Sequence, residues 1–286
     1  PWFFSRLPKI RIVEMELRHL ALHAFEICDP LAKAEAIQAM AAVLPSLPVI
    51  TEALLPWPEA PGRPTQPELV QPKEVPRRSP FTLEGHAALV HSIAHIEFNA
   101  INLALDAVWR FPNMPERYYR DWMQVALEES QHFTMLEAHL RRCGYRYGTF
   151  PAHDGLWTMC ENTRHDVVAR MALVPRTLEA RGLDATPVIQ AKLRKVGTPQ
   201  ALEVCSILDT ILREEVGHVT VGNHWFHWLC QRDGLDAPAF YAHAAVRHAA
   251  PRPKPPFNLE ARRRAGFSES ELQSLQTVAP PEPAPV

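Results

Sequence analysis

The sequence predicts an all-α fold built on a bundle of four long helices. Four segments of roughly 25 to 30 residues each run between recognisable helix starts and stops. No segment shows the alternation of apolar and polar residues that indicates a strand. Proline is concentrated outside these segments, above all in residues 45–80, which hold ten prolines and one glycine. The pattern therefore predicts helices that are flanked by extended, proline-rich chain.

Two shorter helices are expected in the N-terminal region, residues 1–44. The first pattern covers roughly residues 13–26. The second begins at Asp29 and Pro30, a capping acid followed by a first-turn proline, and continues to about residue 43.

Residues 45–80 are expected to be extended, because proline has no amide N–H and fixes its own φ angle. Large apolar residues such as Leu55 and Trp57 lie among the prolines, and a flexible linker rarely carries so many of them. We therefore expect this segment to pack along the bundle through these side chains and to resist proteolysis at Arg63 and Lys73.

The bundle itself is expected within residues 81–234. Its predicted helices cover residues 82–111, 115–144, 155–182 and 198–234. About three residues join the first two helices, which makes them antiparallel neighbours. About eleven residues join the second to the third, enough at ~3.3 Å each to cross the bundle, and one such crossover is the ferritin-like arrangement. Residues 235–286 form a C-terminal extension with a short helix at 237–248 and a tail, 280–286, that is expected to be disordered.

The composition limits the partners and the compartment. The chain has 286 residues and a formal net charge of −2, so its overall charge favours neither a nucleic acid nor a membrane surface. Its five cysteines include no pair at CxxC spacing, which argues against a disulfide framework and a thiolate zinc site. No apolar run of about 18 residues occurs. We expect a cytoplasmic protein.

Two of the predicted bundle helices contain the motif Glu-x-x-His. It occurs as Glu129–His132 in the second helix and as Glu215–His218 in the fourth, and residues three apart lie on the same side of a helix. The first and third helices each carry one glutamate within a mainly apolar face. These are Glu97 and Glu179. One glutamate from each of two helices, with Glu-x-x-His from the other two, is the ligand set of dinuclear carboxylate bundles.

Spacing and charge support this ligand set. Glu97 and Glu179 are 82 residues apart, and Glu129 and Glu215 are 86 apart, as expected for two related halves. Four carboxylates balance two divalent ions, whereas four buried carboxylates without a cation are strongly unfavourable. Imidazole with carboxylate suits iron, manganese or zinc. We expect two metal ions, with iron as the working metal, manganese as the alternative and zinc as a substitute. The expected ligands are Glu97, Glu129, His132, Glu179, Glu215 and His218.

Neighbouring polar residues are not expected to bind metal. Glu128 and Glu214 lie about 100° around the helix from the motif glutamates, and neither has a histidine three positions later. His91 and His95 lie far around the first helix from Glu97, so packing or exposure is the simpler interpretation of both.

Seven stretches of the sequence carry a resemblance to a known family. They are HIEFNAINLALD (95–106), YRDWMQVALEESQHF (119–133), YGTFPAHDGLW (147–157), RMALVPRTLEARGLD (170–184), EEVGHV (214–219), PFNLEAR (256–262) and AGF (265–267). Over roughly residues 10–272 the chain resembles the bacterial DUF455 proteins, a ferritin-like family. The resemblance implies the ferritin-like fold and a dinuclear metal site at the six residues above. Glu214 differs from the family, in which Asp is common at that position. The tRNA-modifying di-iron hydroxylases are more distantly similar.

These features predict an oxidoreductase in which a di-iron site activates O2 to oxidise or hydroxylate a small-molecule substrate. We expect no membrane or nucleic-acid partner, and catalytic groups beyond the metal ligands are unassigned. The alternative is a metal-binding or iron-oxidising protein without an organic substrate, although extensions of about 80 and 50 residues would hinder a closed storage cage. A purely structural metal is less favoured, because structural sites are typically built from thiolates and imidazoles rather than four carboxylates.

Overall fold

The computed structural model describes residues 16–277. These residues are helical apart from turns, extended segments and one isolated β-bridge, so the predicted all-α fold class is confirmed for this part of the chain. The chain divides into two compact units, Pro1–Trp157 and Thr158–Val286. None of the helices in the described part is long and apolar enough to span a membrane. Residues 13–15 of the first predicted helix and the predicted disordered tail lie outside the described residues.

The first unit is built around a pair of long helices. Its helices are α1 (Leu17–Glu26), α2 (Pro30–Met40), α3 (Leu83–Arg110) and α4 (Glu116–Arg142). His86 contacts His139 near one end of the pair and Glu97 contacts His132 further along, so α3 and α4 are antiparallel. The helix α1 packs against α3, and α2 packs against α4. The long helices begin and end within two residues of their predicted bounds, and Thr82 Oγ1 caps α3 by accepting from the Gly85 amide at 3.1 Å.

The proline-rich segment, residues 45–80, packs against the helices of the first unit, but apolar burial contributes less than predicted. Leu55 is buried, whereas Leu54 is 85% exposed and Trp57 48% exposed. We predicted that the apolar side chains of this segment pack against the bundle, but only some of them are buried.

Basic side chains hold this segment through its backbone carbonyl groups. The buried Arg18 guanidinium donates to the carbonyl oxygens of Ile50, Thr51 and Ala53 at 2.8–3.0 Å. Lys33 Nζ donates to the carbonyl oxygen of Gly62 at 3.0 Å. An extended segment cannot satisfy its own carbonyl groups, so these side chains supply the hydrogen bonds that a helix or sheet would provide.

The second unit is built around another long helix. Its elements are the greater part of α5 (Gly155–Asn162), α6 (Val167–Leu173), a π-helical segment (Val174–Glu179), α7 (Ala180–Val196), α8 (Pro199–Asp233), α9 (Ala237–Arg247), α10 (Leu259–Arg264) and α11 (Glu269–Thr277). The helices α6 and α7 and the π-helical segment between them all pack against α8, and α10 packs against α7 and α8.

The third predicted bundle helix, residues 155–182, is wrong in its continuity and in its end. The chain leaves the helix after Asn162, and α6 begins at Val167 after Asp166, whose side chain caps it. Gly182 is the predicted end, but it lies inside α7, which continues to Val196.

A distant hydrogen bond explains why α7 continues. Pro187 has no amide N–H, so the carbonyl of Leu183 lacks its usual helical partner. Asn258 Nδ2 donates to that carbonyl at 3.2 Å, and Arg262 pairs with the adjacent Asp184 at 2.6 Å. The C-terminal extension thus stabilises a helix that the local sequence would end.

Candidate metal centre

Three of the six predicted ligands converge within the first unit. Glu97 on α3 and Glu129 and His132 on α4 each place one ligand atom within 4.8 Å of the others. His132 Nδ1 lies 3.1 Å from Glu97 Oε2 and 3.3 Å from Glu129 Oε2. All three side chains are buried, so the cluster is shielded from water.

The electrostatics of this cluster favour a bound cation. Burial and the nearby Glu129 carboxylate raise the pKa of Glu97 to about 8. Burial acts to lower the pKa of His132, but the carboxylates of Glu129 and Glu97 outweigh it and raise that pKa to about 11. Without a metal, the cluster therefore retains protons to limit its negative charge. A divalent ion would supply the same compensation, so the residues present fit a metal ion.

The second unit repeats the Glu-x-x-His arrangement. His218 Nδ1 lies 3.4 Å from Glu215 Oε1, and both side chains are buried on α8. Glu179, the last residue of the π-helical segment, is also buried. Gly182 follows one turn later, and a Cβ atom placed there would lie 4.0 Å from Glu215 Oε2. The glycine therefore leaves space beside the Glu215 carboxylate.

The π-helical segment fixes the position of Glu179. Thr177 Oγ1 in this segment donates to the carbonyl of Ala172, the second-last residue of α6, at 2.8 Å. Gly222 on α8 permits close packing, because a Cβ atom there would lie 2.5 Å from Pro175 Cβ. A single π-helical turn inside a helix occurs frequently at functional sites. This irregular turn, which contains Pro175, is thus part of the structure that carries a candidate ligand.

The C-terminal extension supports the same segment through Arg176. This buried guanidinium donates to Asn223 Oδ1 at 2.5 Å and pairs with Glu271 of α11. It also lies over the Phe267 ring, 4.8 Å from the centroid. Asn223 Nδ2 in turn donates to the Ala265 carbonyl at 2.6 Å. These positioning residues are not predicted from the sequence, although the arginine within the apolar stretch around Pro175 is a usable signal.

His91 and His95 are buried, packed side chains, which is one of the two arrangements expected for them. Burial lowers the pKa of each to about 4, so both are neutral. His91 Nε2 accepts a hydrogen bond from the Gly148 amide at 2.9 Å, and His95 Nδ1 lies 2.8 Å from the Tyr147 hydroxyl. These contacts dock residues 145–150 onto α3.

Glu128 and Glu214 do not belong to the buried candidate ligands of either unit. Glu128 accepts a hydrogen bond from Gln124 Nε2 at 2.7 Å. Glu214 pairs with Arg213 at 2.9 Å and keeps 26% of its side chain exposed. Their surroundings differ from those of the adjacent motif glutamates, Glu129 and Glu215.

Comparison with known sequences shows the family of this chain. A family model described as "Protein of unknown function (DUF455)" matches residues 26–273. The chain belongs to the DUF455 family. A relative from Haemophilus influenzae, described as "Uncharacterized protein", is 49% identical over 222 residues, which cover 75% of this chain and 76% of the relative. No solved structure matches this chain significantly. The stretch that matches the DUF455 model includes all six candidate ligands.

Proposed function

We propose that this chain holds a carboxylate-bridged pair of metal ions, with iron as the working metal, and uses O2 to oxidise or hydroxylate a small organic substrate. The observation that carries the proposal is one arrangement that occurs twice. In each unit a buried histidine Nδ1 lies 3.3–3.4 Å from the carboxylate of the glutamate three residues earlier. Each unit also has a further buried glutamate on an element that precedes the motif helix, Glu97 on α3 and Glu179 in the π-helical segment.

We further propose that the two sets of ligands act together within a ferritin-like four-helix bundle made by α3, α4, the α6–α7 stretch and α8. Ligand chemistry supports this arrangement. Each metal ion would receive one histidine, one terminal glutamate and two shared glutamates, and four carboxylates would balance two divalent ions. An oxygen-rich set with imidazole suits iron or manganese, and it does not favour thiophilic ions.

When bound, the metal pair supplies the redox chemistry with O2. The neighbouring residues of the chain hold the metal-ligating side chains in place and exclude water from them. Phe98 and Phe133, which adjoin ligands in the sequence, pack with their ring centroids 5.7 Å apart and are almost fully buried. Dry surroundings strengthen each electrostatic contact to the metals and protect reactive species from water.

The test is anaerobic loading with Fe2+, followed by exposure to O2 in the presence of a metabolite extract and mass spectrometry of the products. We expect a metabolite to gain the mass of one oxygen atom with the wild-type protein and with Glu128→Ala, but not with Glu129→Ala. Oxidation of Fe2+ without any altered metabolite would instead favour an iron-oxidising protein that lacks an organic substrate. A folded wild-type protein that binds no iron would contradict both functions.

A further inference from the structure

A second cluster of metal-binding side chains lies at one end of the α3–α4 pair. It consists of His86, His139 and Cys143, which each place one ligand atom within 4.8 Å of the others. The Nε2 atoms of His86 and His139 are 2.9 Å apart, and Cys143 Sγ lies 3.5 Å from His139 Nε2. Both histidines are buried, whereas Cys143 is only partly buried.

The helical hairpin brings these three residues together. His139 and Cys143 are four residues apart at the C-terminal end of α4, so their side chains lie on one face. His86 lies near the start of α3, which runs antiparallel to α4 and places it opposite His139. The first unit therefore supplies all three side chains without a contribution from elsewhere.

We propose that His86, His139 and Cys143 bind a single Zn2+ ion, with water as its fourth ligand. Two imidazoles and a thiolate suit zinc and do not suit hard ions such as Mg2+ or Ca2+. Three protein ligands with one open position form the pattern of exchangeable zinc sites, and the partly exposed Cys143 leaves a route for the ion and the water.

The distances are close to those of a tetrahedral zinc site. With Zn–N bonds of about 2.05 Å and a Zn–S bond of about 2.3 Å, tetrahedral angles place the two nitrogens about 3.3 Å apart and nitrogen and sulfur about 3.6 Å apart. The corresponding distances here are 2.9 and 3.5 Å. The geometry would be complete if small side-chain rotations moved the two nitrogens about 0.4 Å further apart and brought Cys143 Sγ, which lies within 4.8 Å of the His86 ligand atom, to about 3.6 Å from it. The C-terminal end of α4 also carries a partial negative charge that favours a cation.

This site is separate from the carboxylate cluster. His86 precedes Glu97 by eleven residues on α3, which corresponds to about 16 Å along the helix. The simpler interpretation is a metal-free hydrogen bond between the two imidazoles. That bond does not require a thiol beside it, whereas zinc uses all three groups.

Cobalt separates the two interpretations, because Co2+ bound to a thiolate gives an intense charge-transfer absorption and Co2+ bound to carboxylate and imidazole does not. Metal-free protein is titrated with Co2+ and then with Zn2+. We expect the band in the wild type, in Glu129→Ala and in Cys28→Ser, its loss in Cys143→Ser, and its displacement by Zn2+. Cys28→Ser is the matched control because Cys28 is an exposed free thiol that belongs to neither group of possible metal ligands in the described residues.

Protection of the thiol gives an independent measurement. Zn2+ should slow the reaction of Cys143 with a thiol reagent, while Cys28 in the same molecule remains reactive. A folded wild type without the cobalt band, or a band of equal intensity in Cys143→Ser, would overturn the zinc site. Glu129→Ala is expected to keep the cobalt band. The test of the zinc site therefore remains valid even if the carboxylate cluster binds no metal.

Discussion

Replacing Arg18 by Met should destabilise the first unit and loosen the proline-rich segment. Arg18 is fully buried and donates to five carbonyl oxygens. Two of these belong to Val108 and Trp109 in the last turn of α3, at 3.3 and 2.9 Å. Carbonyl groups in a last turn have no partner within the helix, so Arg18 both caps α3 and anchors the extended segment. Met fills a similar volume but donates no hydrogen bond.

The magnitude follows from the carbonyl groups that lose their donor. A buried carbonyl without a partner costs about 1–3 kcal/mol, so the two in α3 together cost about 2–6 kcal/mol. The three in the proline-rich segment are partly accessible and recover hydrogen bonds from water. Burial desolvates the Arg18 charge and so lowers its pKa, and removing that charge offsets part of the loss. We expect a decrease of about 2–4 kcal/mol in the free energy of unfolding.

Urea denaturation followed by circular dichroism measures the loss, and limited proteolysis at Arg63 and Lys73 reports on the segment. Arg117→Met is the control, because Arg117 is 75% exposed and its ion pair with Asp121 is long at 3.5 Å; we expect a change below about 0.5 kcal/mol. If Arg18→Met unfolded within about 1 kcal/mol of the wild type and the segment still resisted cleavage, cationic anchoring of the backbone would be refuted.

Two further predictions concern the second unit. Glu215→Ala should lower the metal content measured by elemental analysis, whereas Glu214→Ala should not, since only Glu215 shares the buried face with His218; equal losses would show that the wrong face was chosen. Gly222→Ala should destabilise the protein by about 1–3 kcal/mol, because its Cβ would overlap Pro175. Gly217→Ala should stabilise α8 by up to about 1 kcal/mol, because a Cβ atom at residue 217 meets nothing within 4 Å. Thermal denaturation measures both variants, and a Gly222→Ala protein more stable than Gly217→Ala would contradict the prediction.

The sequence predicted correctly those helices whose ends are set by neighbouring residues in the chain. The bounds of α3 and α8 follow from their capping threonines, Thr82 and Thr198, whose hydroxyl groups accept from amides in the first turn. The motif glutamates and histidines were also accessible to sequence reasoning, because helical spacing alone aligns residues three apart.

Features that depend on distant partners were missed. The continuation of α7 through Pro187 depends on Asn258, and its neighbour Asp184 pairs with Arg262. The proline-rich segment is held by Arg18 in addition to the few apolar side chains, such as Leu55, that are buried. A search for closely spaced cysteines also overlooks Cys143, because its nearest ligand partner outside α4 lies 57 residues earlier in the chain.

Metal stoichiometry tests the dinuclear site most directly. Protein carrying Cys143→Ser, which removes the proposed zinc site, is loaded with Fe2+ without oxygen, freed of excess metal and subjected to elemental analysis. Zinc acquired during expression must be removed first, because affinity alone favours zinc over iron. The six ligands predict about two iron ions per chain, and removal of Glu129 or Glu215 should lower that number by at least one. One ion or none in the folded chain would contradict the dinuclear site.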